Sequence, residues 1–295
     1  RHYIISHTET VSDLLEVLLP SAADRTILFL HVFRPGFAST SGRVLELVRA
    51  HHGERQLDLA LHPLDARATR RLIANLFRDG EVPHETRRLI EEKAQGNPFY
   101  VEEVVRALLD AEAVELHEGR FRATERIHAF VVPGTIQEVV TARLDRLDTE
   151  KRRILQIASV IGGSFHRDVL EEIHGAAQLD ARIAELQQGA FLEASDRSAG
   201  VEYGFKHPLI QEVTYDGILQ ARREELHREV ALAMERRLPA DLAGREGMLA
   251  YHWSLGRDAE RAEDHLFRAG DEAARAAGSS EALHFFREAS RLYFD

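Results

Sequence analysis

A chain of 295 residues, 44% hydrophobic and 29% charged, has the size and composition of a soluble globular protein of two or three domains. Its net charge of −11 argues against a general nucleic-acid binder, because phosphate contacts need clustered Lys and Arg. It has no cysteine, hence no disulfide framework and no thiolate chemistry, which fits a reducing cytoplasm.

The first sixty residues read as the back half of an α/β domain. Tyr3-Ile4-Ile5 is a short apolar run, and Val11 to Leu19 has a helical pattern with Ser12 and Asp13 in its first turn. Thr26 to Phe33 is a nearly continuous apolar strand, as in a sheet buried on both faces. Its strongly apolar part, Ile27 to Phe33, is interrupted by His31 and far too short to span a bilayer. Residues 1–20 lack the basic start and apolar block of a signal peptide, and the chain begins without Met, as a fragment would. Ser41 to His52 predicts a helix, and Gln56 to Leu61 alternates like a strand. Strands alternating with helices predict a parallel sheet, but a complete doubly wound domain needs more strands than these.

Residues 64–132 predict a small helical lid. Asp65 caps a helix over Ala66 to Phe77, and Pro83 to Gln95 forms a second. Gln95 to Leu109 then combines a helix stop with a helix start. Gly96 can end the preceding helix in a left-handed conformation, Asn97 suits an N-cap and Pro98 the first helical position. Glu102 and Glu103 fall near the positive helix end. Tyr100/Val101, Val104/Val105 and Leu108/Leu109 recur every four residues as one buried stripe. Two extended runs around Glu118-Gly119 predict a hairpin.

From Pro133 on, helices are expected at Thr135 to Leu147, Lys151 to Ile161, from Phe165, and at Ala181 to Gln188. Phe191 to Ala194 and Val201 to Phe205 follow as two strands around a polar turn, completing a winged-helix pattern. The helix before the wing, Asp180 to Gln188, has Arg182 as its single basic residue. Residues 133–237 hold 14 Lys/Arg against 18 Asp/Glu, which disfavours a DNA-reading face. After Pro239 the chain turns Ala-rich, with helical stretches at Met248 to Leu255, Ala259 to Arg268, Asp271 to Ala277 and Glu281 to Tyr293. Ala262 to Ala269 and Ala282 to Ala289 echo each other, which reads as the start of a tetratricopeptide-like array, though the echo is shorter than the usual period of about 34 residues. No H-E-x-x-H or comparable metal-ligand spacing and no G-x-S-x-G occurs.

Gly96-Asn97-Pro98-Phe99-Tyr100-Val101-Glu102-Glu103-Val104-Val105-Arg106-Ala107-Leu108-Leu109 resembles the GNPFFLEELVRALL segment of the STAND class of AAA+ signalling ATPases. It is most similar to the module that follows class III adenylate/guanylate cyclase domains and that occurs in large LuxR-type regulators. Phe33-Arg34-Pro35 resembles the strand end YRPE of that family. Phe205-Lys206-His207-Pro208-Leu209-Ile210-Gln211-Glu212-Val213-Thr214-Tyr215 and Arg222-Arg223-Glu224-Glu225-Leu226-His227 resemble its FRHALIRDAAYESLL and RRRELH segments. The resemblance implies that Pro98 contacts a nucleotide base, that Arg34 is a sensor beside the phosphates, and that His207 touches bound ADP and holds a closed, inactive state. The bland alternatives are a bent connection at Pro98, a solvent-facing strand-end arginine, and a capping or packing histidine at 207.

Two departures bear on chemistry. The family's G-x-x-x-x-G-K-[ST] loop is absent, and Ile4 to Thr10 lacks the paired acids of a Walker B strand, with Glu9 or Asp13 poor substitutes. Hydrolysis by this chain on its own is not expected. The expected fold is mainly α with a partial α/β core: residues 1–63 the back of a nucleotide-binding core, 64–132 the helical lid, 133–237 the winged helix and 238–295 the first repeats. The expected function is that of a fragment of an ATP/ADP-dependent signalling switch and protein-interaction platform. ATP or ADP with Mg²⁺ would bind the full-length protein rather than this fragment stably. The expected partners are other proteins, through the C-terminal repeats, and other domains of the same polypeptide, with no membrane. A scaffold without nucleotide binding and a winged-helix DNA-binding regulator are the alternatives.

Overall fold

The computed structural model describes residues 18, 28–30, 32, 42–52, 57–78, 80, 82–195, 202–240, 242–276 and 278–292. The chain divides into two compact units, residues 1–62 and 63–295. It is mainly α-helical, with five short strands among the described residues. No described helix is long and apolar enough to cross a membrane.

The described part of the first unit holds helix α1 (Arg43–His52), within the range read from its apolar spacing. Residues 57–61 form no ladder, although Leu57, Leu59 and Leu61 alternate at strand spacing and are exposed. Extended backbone needs a neighbouring strand to satisfy its N–H and C=O groups. Of the strand expected at Thr26 to Phe33, residues 28–30 and 32 are described; they belong to no strand, and Leu28, Leu30 and Val32 are exposed, against the burial on both faces expected of that apolar run. Arg34, Glu9 and Asp13 lie outside the described residues.

The second unit begins with α2 (Ala66–Leu76), α3 (His84–Ala94) and α4 (Pro98–Asp110). Asp65 caps α2 by accepting the Ala68 N–H at 2.7 Å. Gly96 makes the sharp turn into α4 with φ of 77°, and a Cβ there would stand 2.4 Å from the Leu64 carbonyl oxygen. The same two residues are joined by the Leu64 N–H donating to the Gly96 carbonyl at 2.9 Å. Gly96→Ala therefore incurs the left-handed backbone cost and displaces Leu64. It is expected to lower the unfolding free energy by about 1–3 kcal/mol in urea denaturation; a loss under about 0.5 kcal/mol, the surface range, would mean the turn relaxes freely.

Helix α4 is buried on two faces. Tyr100, Val101, Val104, Val105 and Leu108 pack with Ile73, Phe77, Ile90 and Phe121 in one core. The hairpin β1 (Val114–His117) and β2 (Arg120–Ala123) closes this core, turning through Glu118 and Gly119 with φ of 48° and 81°. Two positive φ values in a two-residue loop match the twist of the flanking strands.

The next segment is pinned to α4 by the Tyr100 hydroxyl, which donates to the Pro133 carbonyl at 2.5 Å. It comprises α5 (Ile136–Asp145), α6 (Thr149–Ile161), β3 (Ser164–His166), α7 (Arg167–His174), α8 (Leu179–Gln188), β4 (Leu192–Ser195) and β5 (Glu202–Phe205). The strands form one antiparallel sheet in the order β3-β5-β4. Phe165-His166 was expected to open a helix; instead it pairs with Tyr203 and Glu202. The Phe165 ring packs near Tyr203 and Phe205, at 6.1 and 6.4 Å, so tertiary pairing overrides the local helical reading.

Helices α9 (Pro208–Asp216), α10 (Gln220–Arg237), α11 (Arg245–Leu255), α12 (Ala259–Arg275) and α13 (Ser279–Arg291) complete the unit. The break expected between Arg268 and Asp271 is absent, and α12 runs straight through Gly270. A Cβ on Gly270 would lie 2.5 Å from the Phe286 ring, so this glycine serves close helix packing rather than chain reversal. The echoed alanines 262, 269, 282 and 289 are all buried. A second core runs from Ile154, Leu170 and Ile183 through Val230 to Leu249 and Trp253, joining the sheet-bearing segment to the first C-terminal helices.

Candidate functional site

Two helices begin with the same device. Asn97 precedes Pro98 at the start of α4, and its Oδ1 accepts the N–H groups of Phe99 at 3.0 Å and Tyr100 at 3.4 Å. His207 precedes Pro208 at the start of α9, and its Nδ1 accepts the Leu209 N–H at 3.1 Å. In each case a proline with no N–H takes the first helical position and a side chain caps the next free donor.

These two helix starts meet. The Phe99 and His207 rings are stacked, with centroids 3.7 Å apart and planes 14° from parallel. Pro98 itself is exposed, and His207 is half-buried. Two of the three residues expected to share a nucleotide are thus brought to one place, Pro98 through its neighbour Phe99. Arg34 lies outside the described residues.

The hydrogen bonding fixes what His207 can offer. Burial pushes its pKa below the ordinary histidine value, so the ring is neutral at neutral pH. With Nδ1 accepting, the proton of the neutral ring sits on Nε2, which becomes a donor. The backbone at both helix starts is already engaged: Ile210 N–H donates to the His207 carbonyl and Val101 N–H to the Asn97 carbonyl. An anion placed here would meet the imidazole Nε2–H and the positive helix ends rather than open backbone donors. Those groups suit a nucleotide phosphate, and the exposed Pro98 ring suits the face of a base.

Residues 66–122 match a domain of unknown function, DUF8739. That span takes in α2, α3, α4 and the hairpin, and so includes Pro98 and Phe99 but not His207. The chain is also similar to "Uncharacterized protein R02095" of Rhizobium meliloti (strain 1021), at 26% identity over 288 residues, which is 96% of this chain and 26% of that protein. The chain therefore spans about a quarter of the length of the curated relative it matches.

A second contact between the same two segments lies further along α4. Phe99, Glu103, Arg106 and Asp110 follow one another at intervals of four, three and four residues, which places them on one face, opposite the Tyr100–Leu108 stripe. Arg143 of α5 reaches this face. Its Nη1 donates to Glu103 at 2.5 Å, its Nε to Asp110 at 2.8 Å and its Nη2 to the Gly189 carbonyl at 2.6 Å. Its guanidinium also sits 4.3 Å from the Phe191 ring centroid. Sequence reasoning missed both Phe99 and this cluster. It placed Glu103 at the helix end for its charge, and named one buried stripe on α4 without assigning a role to the other face. An aromatic residue off the main stripe was the available signal.

The alternative DNA-reading helix is α8. Its Arg182 is held by Asp148 and Glu185, at 3.3 Å each. Among the described residues, no three His, Asp or Glu side chains gather in a metal-binding arrangement.

Proposed function

We propose that the chain is part of a nucleotide-controlled signalling switch of the STAND type, in which ADP bound by the full-length protein holds the lid segment and the winged-helix segment together. The observation that carries this reading is the stack of Phe99 on His207, which joins the Gly96-Asn97-Pro98 helix start to the histidine-capped start of α9. Pro98 would lie against the base, and the His207 Nε2–H would donate to a phosphate. A ligand that touches both segments favours their closed arrangement by its differential affinity for it, and by no more than that. Mg²⁺ would enter with ATP through residues of the nucleotide-binding core. Protein partners would dock on the C-terminal helices, where Tyr251, Phe267 and Leu283 are exposed. The switch would act in the cytoplasm.

The test is calorimetric titration of ADP into the full-length protein and its His207→Ala variant. Loss of a hydrogen bond to a charged group costs about 1.5–3 kcal/mol, which is on the order of ten- to a hundredfold in affinity. Equal affinities would remove His207 from the site, and absence of ADP binding to wild type would leave the chain as an interaction scaffold.

A further inference from the structure

Phe99 is anomalous within its own helix. Its neighbours on α4 belong to the core formed with α2, α3 and the hairpin, whereas Phe99 packs against the other core, that of the sheet-bearing segment. It is an aromatic side chain lent by one segment to the other, and it lands on the single imidazole that caps α9. The His207 ring is thereby held by two constraints of different kinds. The Leu209 N–H fixes one edge in the plane of the ring. The Phe99 ring covers one face and fixes the tilt of that plane. The edge that carries Nε2 is left as the donor.

We propose that Phe99 is the positioning residue for His207: by covering the imidazole face it sets the direction of the Nε2–H donor, and it does so only while the two segments are in contact. The proposal rests on the reading of His207 as a phosphate donor for its consequence, but not for the stack itself. If the segments separate, the imidazole loses its cover, gains water and keeps only the Leu209 bond. One aromatic contact then couples the position of the lid segment to the quality of the ligand donor on the winged-helix segment. Burial lowers the proton affinity of His207, so uncovering the ring should raise it.

Two measurements separate the joint from its use. First, the His207 imidazole is titrated by NMR in the nucleotide-free 295-residue chain, its signal assigned by its loss in His207→Gln. In wild type it is expected to titrate below the ordinary value of about 6.5. Phe99→Leu keeps an apolar side chain but removes the flat ring, and should move the midpoint up toward the ordinary value. Phe99→Tyr keeps the ring and should hold the wild-type midpoint. Far-ultraviolet circular dichroism and thermal melts establish that each variant is folded; should Phe99→Leu fail to fold, Phe99→Met takes its place. Second, ADP affinity of the full-length protein is measured for the same variants, with Phe99→Leu expected to weaken it severalfold and Phe99→Tyr to retain it.

An unchanged His207 midpoint in folded Phe99→Leu overturns the positioning role outright. A shifted midpoint, with ADP affinity reduced by His207→Ala but not by Phe99→Leu, also overturns it, since the donor then needs no cover. A shifted midpoint with ADP affinity insensitive to both substitutions supports the joint and sinks the phosphate-donor reading instead.

Discussion

Replacing Arg143 with methionine is expected to lower the unfolding free energy by about 3–5 kcal/mol, the range for removing one partner of a buried ion pair. The size of the effect follows from burial, not from short distance. Arg126 and Glu112 approach to 2.6 Å, about as close as Arg143 and Glu103, but are 65% and 73% exposed, and a pair of that kind contributes about 0–1 kcal/mol. Arg143 and Glu103 are 1% and 2% exposed. Without the guanidinium, Glu103 keeps only Arg106 at 3.6 Å, and the Gly189 carbonyl and the Phe191 ring lose a partner as well. Burial already pushes the Glu103 carboxyl above the ordinary carboxylate range, with Arg143 opposing that push. In the variant the opposition is gone, so the folded-state pKa rises further. A carboxyl whose folded pKa lies above its unfolded value favours the native state at low pH and loses that advantage as pH rises. The deficit of Arg143→Met relative to wild type should therefore be larger at pH 7 than near pH 4.5. The double variant Arg143→Met, Glu103→Leu should recover most of the loss, because it leaves no fully buried unpaired charge, Asp110 and Arg106 being 30% and 35% exposed. Urea denaturation of wild type, Arg143→Met, Glu103→Leu and the double variant completes the cycle; an Arg143→Met loss below about 1 kcal/mol at pH 7, the exposed-pair range, would show that the cluster does not hold the two segments together.

That cluster also shows what sequence can and cannot reveal. The stripe Tyr100 to Leu108 was legible because it repeats at helical spacing within one helix, and it is core. Gly96, Asn97 and Pro98 were legible because helix ends have local chemistry, as was Asp65, whose side chain caps α2. The Glu118-Gly119 hairpin was legible from its turn. Arg143 lies 40 residues from Glu103 and 46 from Gly189, and nothing in local periodicity announces that a polar residue will be paired rather than solvated. Phe165 was misread for the same reason, since its strand exists only through a partner on β5. Gly270 was misread in the opposite direction: its local meaning is a break, but Phe286 across the interface requires a residue with no Cβ. Of the candidate site, Pro98 and His207 were named from a family resemblance, and their meeting through Phe99 came from packing that no single-helix pattern contains.

Acid should weaken this chain well before the carboxylates of Asp148, Asp180 and Glu185 begin to titrate. His227 of α10 and His252 of α11 are 1% and 2% exposed and face each other, Nδ1 to Nδ1, at 2.9 Å. The other nitrogen of His227 lies 2.9 Å from the Tyr215 hydroxyl, and the backbone of Ile161 hydrogen-bonds to His252. A carbonyl can only accept, so His252 donates to Ile161 and accepts at Nδ1. His227 then donates from its Nδ1, and Tyr215 donates to its Nε2. Every proton in the chain Tyr215–His227–His252–Ile161 is assigned with both imidazoles neutral, and a further proton on either ring has no acceptor. Burial is the main cause of the low proton affinity of both. It holds His227 at about 4, where Arg223 adds a smaller push, and His252 at about 3, where His227 does the same. For a base whose folded pKa lies below its unfolded value, stability is fully present above the unfolded value of about 6.5 and is lost as pH falls from there toward the folded value. Between pH 7 and pH 5 the two groups together should remove roughly 4 kcal/mol, at 1.36 kcal/mol per unit of pKa difference engaged. The window matters, because the carboxylates of Asp180 and Glu185 are held below their ordinary range by Arg167 and Lys151, and that of Asp148 first by the Lys151 backbone N–H, so these three contribute only at lower pH. Urea denaturation at pH 7, 6 and 5 measures the wild-type slope, and the double variant His227→Leu, His252→Leu should flatten it. A wild-type free energy that stays constant from pH 7 to pH 5 would mean that the two rings are not held neutral at this junction between the winged-helix segment and the C-terminal helices.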